Sequence, residues 1–434
     1  MIPASSALAA FTPRRQFPYV HGIYLAVNAI ADARVLVDGP NCAFFKAEHV
    51  AMTHDFRSTL LDVGGVHRVA NPDLHADRMV VEHDAHFGAL LARVAGTPGA
   101  GVVLVAALPM ASITGPDYER LVAAVKDPVA PIVVLPQRSL DRVWLDGYAD
   151  TLRALAASLD LPGATPDPCK VAIVGHFFDR NEADQTASVA EMRRLVEAVG
   201  LAPVSVWLDG GPVASLRRAA EAGVLLALPH GRDAADALAA RTGARVVPVD
   251  VPFGLAATDA FLRALGAATG REEAAEAAVD AGHALVAPWW EWLIPRRFAF
   301  LRFGFAGDPW MMPGFCDLAA TLGASVRVLV AYSRRIAAFE PDGAVGSRLP
   351  VAPVWEPRLG ETAAADLVSG LDLLVANAAF LRETGGRARA VEFGYPSRTH
   401  HCCFDAPFLG YRGALAFVDR LSNALGDRPG LADE

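Results

Sequence analysis

The densest run of chemically capable side chains is His400-His401-Cys402-Cys403, two imidazoles and two thiols in four consecutive residues. Such donors suit a soft or borderline metal, but neighbours in one loop cannot all point at one ion, so one or two of the four are the expected ligands. The plainer alternative is a buried loop in which a ring bonds a backbone carbonyl and the thiols pack. Cys42 ends the corner Asp38-Gly39-Pro40-Asn41-Cys42, after an apolar run and before a helical stretch over residues 43–51. A thiol at a helix start meets free N–H groups that favour the thiolate, which is the metal-binding form. A small buried cysteine is the alternative there. His230 stands at the carboxyl end of the apolar run 224–228, where parallel sheets bind ligands. His83 and His86, three apart with Glu82 and Asp84 beside them, share a face if their segment is helical, as a metal pair or as a solvated polar face. Trp289, Trp290, Trp292, Trp310, Met311 and Met312 can wall a pocket for a large flat cofactor, or serve as core or subunit contact.

These residues need elements to hold them. Short β-branched runs at 34–37, 102–108, 132–135, 171–174, 204–208, 246–251, 326–331 and 373–376 read as buried parallel strands. Between them, stretches 189–199, 233–242, 258–265 and 314–322 show helical spacing and stop at Gly200, Gly243, Gly266 and Gly323, where glycine relieves the left-handed position past a helix end. Strand and helix in alternation give an α/β chain of doubly wound parallel sheets. The Pro-rich stretch 162–168, and the aromatic turn at Pro288 after an Ala-rich helix over 272–287, suggest domains 1–165, 166–287 and 288–434, with a last helix, 411–425, folding back. Gly64-Gly65, Gly210-Gly211 and the glycines from Gly304 to Gly307 lack GxGxxG spacing and read as turn glycines.

Composition excludes several classes. With Lys plus Arg at 39 against Asp plus Glu at 48, the net charge is -9, and no basic stripe offers itself to nucleic acid. At 53% hydrophobic and 20% charged, 434 residues can bury several cores and do not read as disordered. No apolar run approaches the roughly 18 residues of a membrane span. Five cysteines are too few for a disulfide framework and fit a reducing compartment. The opening residues have no basic stretch ahead of their apolar part, so no signal peptide is read and a cytoplasmic protein is expected. No GxxxxGK[ST] loop occurs, so any ATP-driven step needs a partner that hydrolyses it.

The order of pieces resembles the nitrogenase component 1 family, which includes both molybdenum-iron protein subunits, the related cofactor-assembly scaffold, and the dark-operative protochlorophyllide and chlorophyllide reductases. The corner at Asp38 to Cys42 is similar to the family's His-Gly-Pro-x-Gly-Cys, and Ile113-Thr114-Gly115-Pro116-Asp117 to its Ile-Gly-Asp-Asp turn. Lys170 to Gly175 with Glu191 to Gly200 resembles its second-domain opening. Pro252-Phe253-Gly254 with Thr258 resembles its Gly-x-x-x-Thr segment, and Gly394-Tyr395-Pro396 through Gly410-Tyr411-Arg412-Gly413 its C-terminal block. The resemblance implies three Rossmann-like domains around a central cleft and a sister subunit or self-dimer. It also implies an iron-sulfur cluster near the interface, a further metallocluster or tetrapyrrole, and an ATP-hydrolysing iron protein as electron donor. Carried over by position, Cys42 matches one interface-cluster cysteine, whereas the stretches at Pro18-Tyr19 and from Leu108 to Ala111, where two others fall, hold none. His401 lies closest to the family's cofactor histidine, and no cysteine lies between Ala227 and His230, where the cofactor's thiolate belongs. His230, His400, Cys402 and Cys403 are the substitute ligand set to examine. The two functions implied are a reductase subunit fed with low-potential electrons and a non-catalytic scaffold or partner for metallocofactor assembly.

Overall fold

The computed structural model describes residues 17–62, 65–74, 81–163, 165–355, 361–386 and 388–426; residues 1–11, Arg14, Arg15 and Gly64, read above, lie outside the described residues. Three sheets, every strand pair parallel, succeed one another along the chain. The first is built from β1 (Ala33–Asp38), β2 (Val69–Ala70), β3 (Val102–Ala107) and β4 (Ile132–Val134) in the order β2-β1-β3-β4. The second has β5 (Asp167–Val174), β6 (Ala202–Val206), β7 (Ala222–Ala227) and β8 (Arg245–Pro248) in the order β6-β5-β7-β8. The third has β9 (Arg302–Gly307), β10 (Ser325–Ala331), β11 (Val354–Trp355), β12 (Leu373–Ala376) and β13 (Ala390–Glu392) in the order β11-β10-β9-β12-β13. Each sheet reverses its winding beside its first strand, giving switch points at β1/β3, β5/β7 and β9/β12 where a crevice opens past the strand ends.

Three readings of the sequence are corrected. Gly266 does not stop its helix, which runs Leu255–Thr269 and ends at Gly270, φ +66. Gly304 and Gly307 belong to β9, in the middle of the third sheet, rather than to a turn. The reason is packing: a Cβ on Gly304 would sit 2.6 Å from Leu371 Cδ1. The helix that begins at Glu272 does not stop before the aromatic residues but continues through Pro288 and Pro295 to Arg297. Among the described residues no helix is long and apolar enough to cross a membrane.

The helix Trp144–Ser158 joins the three parts. Its backbone meets the helix Tyr19–Asn28 at glycines on both sides, Gly22 and Gly147. Its Tyr148 hydroxyl donates to the His176 carbonyl at 2.8 Å, and its Trp144 Nε1 donates to the Tyr332 carbonyl at 2.7 Å. The final helix, Gly410–Ala424, returns to the second sheet's helices, with Arg412 N–H donating to Glu191 Oε1 at 3.3 Å.

In the first part, His83 is not half of a metal pair with His86, which lies exposed. Its Nε2 meets Asp38 Oδ2 at 2.6 Å and its Nδ1 meets Asp84 Oδ1 at 3.1 Å, while Tyr118 Oη donates to the same Asp38 oxygen at 2.6 Å. The hydrogen bond to Asp38 raises the imidazole's pKa, against burial, and Asp84 adds to it. A raised folded value stabilises the fold fully below the unfolded value of 6.5, and that stabilisation is lost as pH rises through the folded value. We expect urea midpoints of the protein to fall as pH climbs above about 6.5, and a His83→Gln variant to lose that slope. Identical slopes for the two proteins would refute the assignment.

Candidate functional site

Two switch points face each other across the molecule. At the end of β5, Gly175 has φ +97, and a Cβ there would lie 2.2 Å from Gly231 N, so the chain ends of β5 and β7 touch backbone to backbone. This contact throws His176 and Phe177 off one strand end and His230 off the other. His230 Nε2 bonds Asp308 Oδ2 at 2.7 Å, and Asp308, directly after β9, also caps the turn ahead through Trp310 N–H at 3.0 Å. The second and third sheets are therefore linked carboxyl end to carboxyl end by one imidazole–carboxylate bond. Trp144 and Tyr395 close the space between them, with ring centroids 5.0 Å apart. The cavity between them is about 50 Å³, room for a few water molecules.

Its polar groups lie mostly on one side. Burial lowers the His176 imidazole to about 4, against the Gln185 side chain, so it is neutral at ordinary pH, and its Nε2 finds no hydrogen-bond partner among the described residues. Burial raises the Asp179 carboxyl to about 7, with Arg180 opposing, so this residue can hold or release a proton near neutrality. Gln185 Nε2 donates to Asp179 Oδ1. His54 supports the pair from the first part of the chain: its Nδ1 accepts the Ser397 N–H at 2.9 Å, leaving Nε2 to donate to the Asp179 carbonyl at 3.1 Å. Tyr395 hydroxyl and His21 Nδ1 share a 2.7 Å bond, and burial pushes His21 down to about 3.

Of the residues singled out from the sequence, His230 lines this cavity. His401 is held beside it by Glu182, which accepts from His401 Nδ1 at 2.6 Å and from the Cys402 N–H at 2.8 Å, while Phe56 stacks on the His401 ring at 3.7 Å. Its Nε2 is buried without a partner among the described residues. The His400 carbonyl accepts from Arg180 Nη1 at 2.8 Å, and burial together with Arg420 and Arg180 lowers the His400 ring to about 4. Cys402 donates its thiol to the Phe404 carbonyl at 3.1 Å, and burial raises its pKa, which favours the neutral thiol. Cys403 is exposed. Cys42 is the first residue of the helix Cys42–His49, half-buried, at the corner where Gly39 has φ +130. Among the described residues, no three His, Cys, Asp or Glu side chains converge as a metal site.

The residues that sequence reasoning passed over are His176, Asp179 and Arg180. They follow the strand 171–174 and Gly175 directly, the same placement that singled out His230 past 224–228. Trp310, counted with the aromatic cluster, instead stacks under Arg232 at 5.4 Å, and Met311 lines the cavity.

The model for the nitrogenase component 1 type oxidoreductases matches residues 19–426. The chain belongs to that family. Two solved structures show the same fold: nitrogenase Cp1 at pH 6.5, with a TM-score of 0.78 at 16% identity over 95% of this chain and 92% of that one, and nitrogenase Cp1 at pH 5, at 0.69 and 12% over 98% and 90%. Homologues in this family hold iron-sulfur clusters, and this chain's residues meet that expectation unevenly. Cys42 starts a helix and is half open to the surface, so its thiol is accessible to a group bound between chains. The central cavity does not fit a large metallocofactor or tetrapyrrole: about 50 Å³ between aromatic walls, with no thiol among its lining residues, is far below the several hundred Å³ such a group needs.

Proposed function

We propose that this chain is a subunit of a nitrogenase-like two-component oxidoreductase, pairing with a homologous sister subunit or a second copy. In this reading an ATP-hydrolysing iron protein supplies low-potential electrons through a metallocluster to which Cys42 gives one ligand. The observation that supports it most is the placing of Cys42 on an exposed apolar surface. Phe45 on the same helix, Met52 on the turn that follows and Phe56 just beyond all stand open to solvent. Exposed large apolar side chains close in sequence to one another are a feature of protein contact surfaces. A cluster bound there would supply one-electron transfer; the chain's own part is to give a thiolate at a helix start, to hold it on a docking face and to keep the surroundings apolar.

A second reading has its own support. The small cavity around Trp144 and Tyr395, with a neutral Cys402 and a His401 engaged by Glu182, fits a partner or assembly-scaffold subunit whose sister does the reduction. His230, His400, His401, Cys402 and Cys403 then act as shape and support rather than as ligands.

The test is oxygen-free co-expression with a candidate sister chain, followed by iron and sulfide analysis and a reduced-state paramagnetic spectrum. Iron and sulfide present in the complex, and lost on Cys42→Ala while the complex stays assembled, are the expected result. Iron content unchanged by that substitution removes Cys42 from the ligand set. A metal-free complex with intact assembly favours the second reading.

A further inference from the structure

Away from the cavity, the helices Glu272–Arg297 and Gly410–Ala424 run side by side and are pinned at two places. At one, Gly282 lets the Tyr411 ring come so close that a Cβ would sit 2.3 Å from it. At the other, Arg297 Nη2 donates to the Ser422 carbonyl at 2.7 Å and to the Gly426 carbonyl at 2.9 Å. Between these pins Pro288 and Pro295 interrupt the first helix, withdrawing the N–H groups that would bond the carbonyls of Ala284 and Glu291 and loosening its straight course. The two prolines bracket Trp289, Trp290 and Trp292. A groove of about 540 Å³ lies between the helices here, closed on one side by Phe404.

Its chemistry is specific. Trp289, Trp292 and Phe404 are 57%, 48% and 73% exposed, an uncommon display of large rings at one place. Trp290 lines the same groove but is 4% exposed, and its indole N–H has no acceptor among the described residues. Asp405 and Asp419, both exposed, add two carboxylates, and no lining residue is basic. Asp419 accepts from Asn423 Nδ2 at 3.1 Å, and among the described residues no cationic side chain pairs with either aspartate; Arg296 and Arg297 reach the rim only at the Trp292 carbonyl and at Ser422. Ring faces carry negative potential, and carboxylates beside them add to it, so the groove attracts positive charge on an apolar body. Its volume lies in the range of small-molecule sites.

We propose that this groove is a binding site for a small organic cation of the quaternary ammonium class, held by Trp289, Trp292 and Phe404 with Asp405 and Asp419 as counter-charges. A hydrogen-bond acceptor on the same ligand would satisfy the Trp290 N–H. The site is separate from Cys42 and from the central cavity, and the proposal stands whichever reading of the function holds.

The test uses the full chain and two probes of equal shape, choline and its uncharged isostere 3,3-dimethylbutan-1-ol, followed by saturation-transfer NMR and tryptophan fluorescence. Choline is expected to bind saturably and at least about tenfold more tightly than the alcohol. Trp289→Ala and Asp419→Asn, both at exposed positions, are each expected to weaken choline several-fold while the melting temperature stays unchanged. Equal binding of both probes would reduce the groove to an apolar surface and overturn the proposal. So would choline binding that survives the double variant, or no binding at all. Self-association abolished by Trp292→Ser, with no choline binding, would name a second copy of the chain as the occupant and overturn it too.

Discussion

Glu392→Gln is expected to cost about 3 kcal/mol of stability at neutral pH and to release the loop that carries His400 to Cys403. Glu392 Oε1 accepts four hydrogen bonds, from the N–H groups of Arg398 (2.5 Å), Thr399 (2.8 Å) and His400 (3.1 Å) and from the Ser397 hydroxyl (2.8 Å), while Oε2 accepts from the Thr399 hydroxyl at 2.7 Å. Burial alone would raise this carboxyl, but the Arg398 N–H, the two Thr399 donors and the Ser397 hydroxyl overcome it and hold the pKa at about 2. A glutamine of the same shape turns one acceptor into a donor among donors. The depressed folded value means the stabilisation is present above the unfolded value of 4.5 and is lost as pH falls toward 2. Urea unfolding from pH 7 down to pH 2.5 checks this: the native chain should lose stability steeply below 4.5, and Glu392→Gln should be weaker at pH 7 and flatter below. Parallel profiles would show that the loop does not depend on the charge. The effect extends to the cavity, because the same segment places Tyr395 against Trp144 and offers the Ser397 N–H to His54.

Much of the fold was legible because buried parallel strands advertise themselves. Runs such as 102–108 and 373–376 consist of β-branched and aliphatic residues, since both faces of each strand are covered by helices. The edge strands β2 and β11, two residues each, were too short to leave a pattern. β9 was hidden for a different reason: Gly304 and Gly307 carry no hydrophobic signature, although they sit in the middle of the third sheet. The glycine at 304 answers to Leu371, a side chain 67 residues later, and no local rule contains that information. The helix through Pro288 and Pro295 is a similar case, because proline normally ends a helix, whereas distant contacts such as Tyr411 against Gly282 and Arg297 with Ser422 and Gly426 carry it on.

The site was legible at single positions and not in combination. His230 was found because it follows a strand, and the same rule applied to Gly175 points to His176. The partner of each, however, comes from far along the chain: Asp308 for His230, Glu182 for His401, Asp38 for His83. The dense motif His400-His401-Cys402-Cys403 offered one or two metal ligands of its four donors. In the structure Glu182 holds the His401 ring, the Phe404 carbonyl takes the Cys402 thiol, Arg180 meets the His400 carbonyl and Cys403 lies exposed, because an extended loop turns successive residues in different directions.

The second large effect is expected at Gly22, where a single methyl group should disturb all three parts of the molecule. A Cβ at this position would lie 1.7 Å from the Trp144 carbonyl oxygen and 2.6 Å from the Tyr148 N, both backbone atoms that no rotamer change can remove. The contact is reciprocal, since a Cβ on Gly147 would lie 2.1 Å from the Tyr19 carbonyl. Alanine favours a helix by about 1 kcal/mol over glycine, so propensity alone predicts a gain. The clash outweighs it: separating the two helices is expected to cost about 3 kcal/mol or more. The displaced helix would take Trp144 from the cavity wall and Tyr148 from the His176 carbonyl, so the fluorescence of buried tryptophan should shift to the red along with the loss of stability. Gly88→Ala supplies the control, because its added methyl would meet only Leu121 Cδ2, at 3.9 Å, on the helix His83–Ala95. That variant should be neutral or slightly stabilised. A Gly22→Ala protein as stable as the native chain would mean that the two helices can slide apart without loss, and the argument that this crossing positions the cavity would fail.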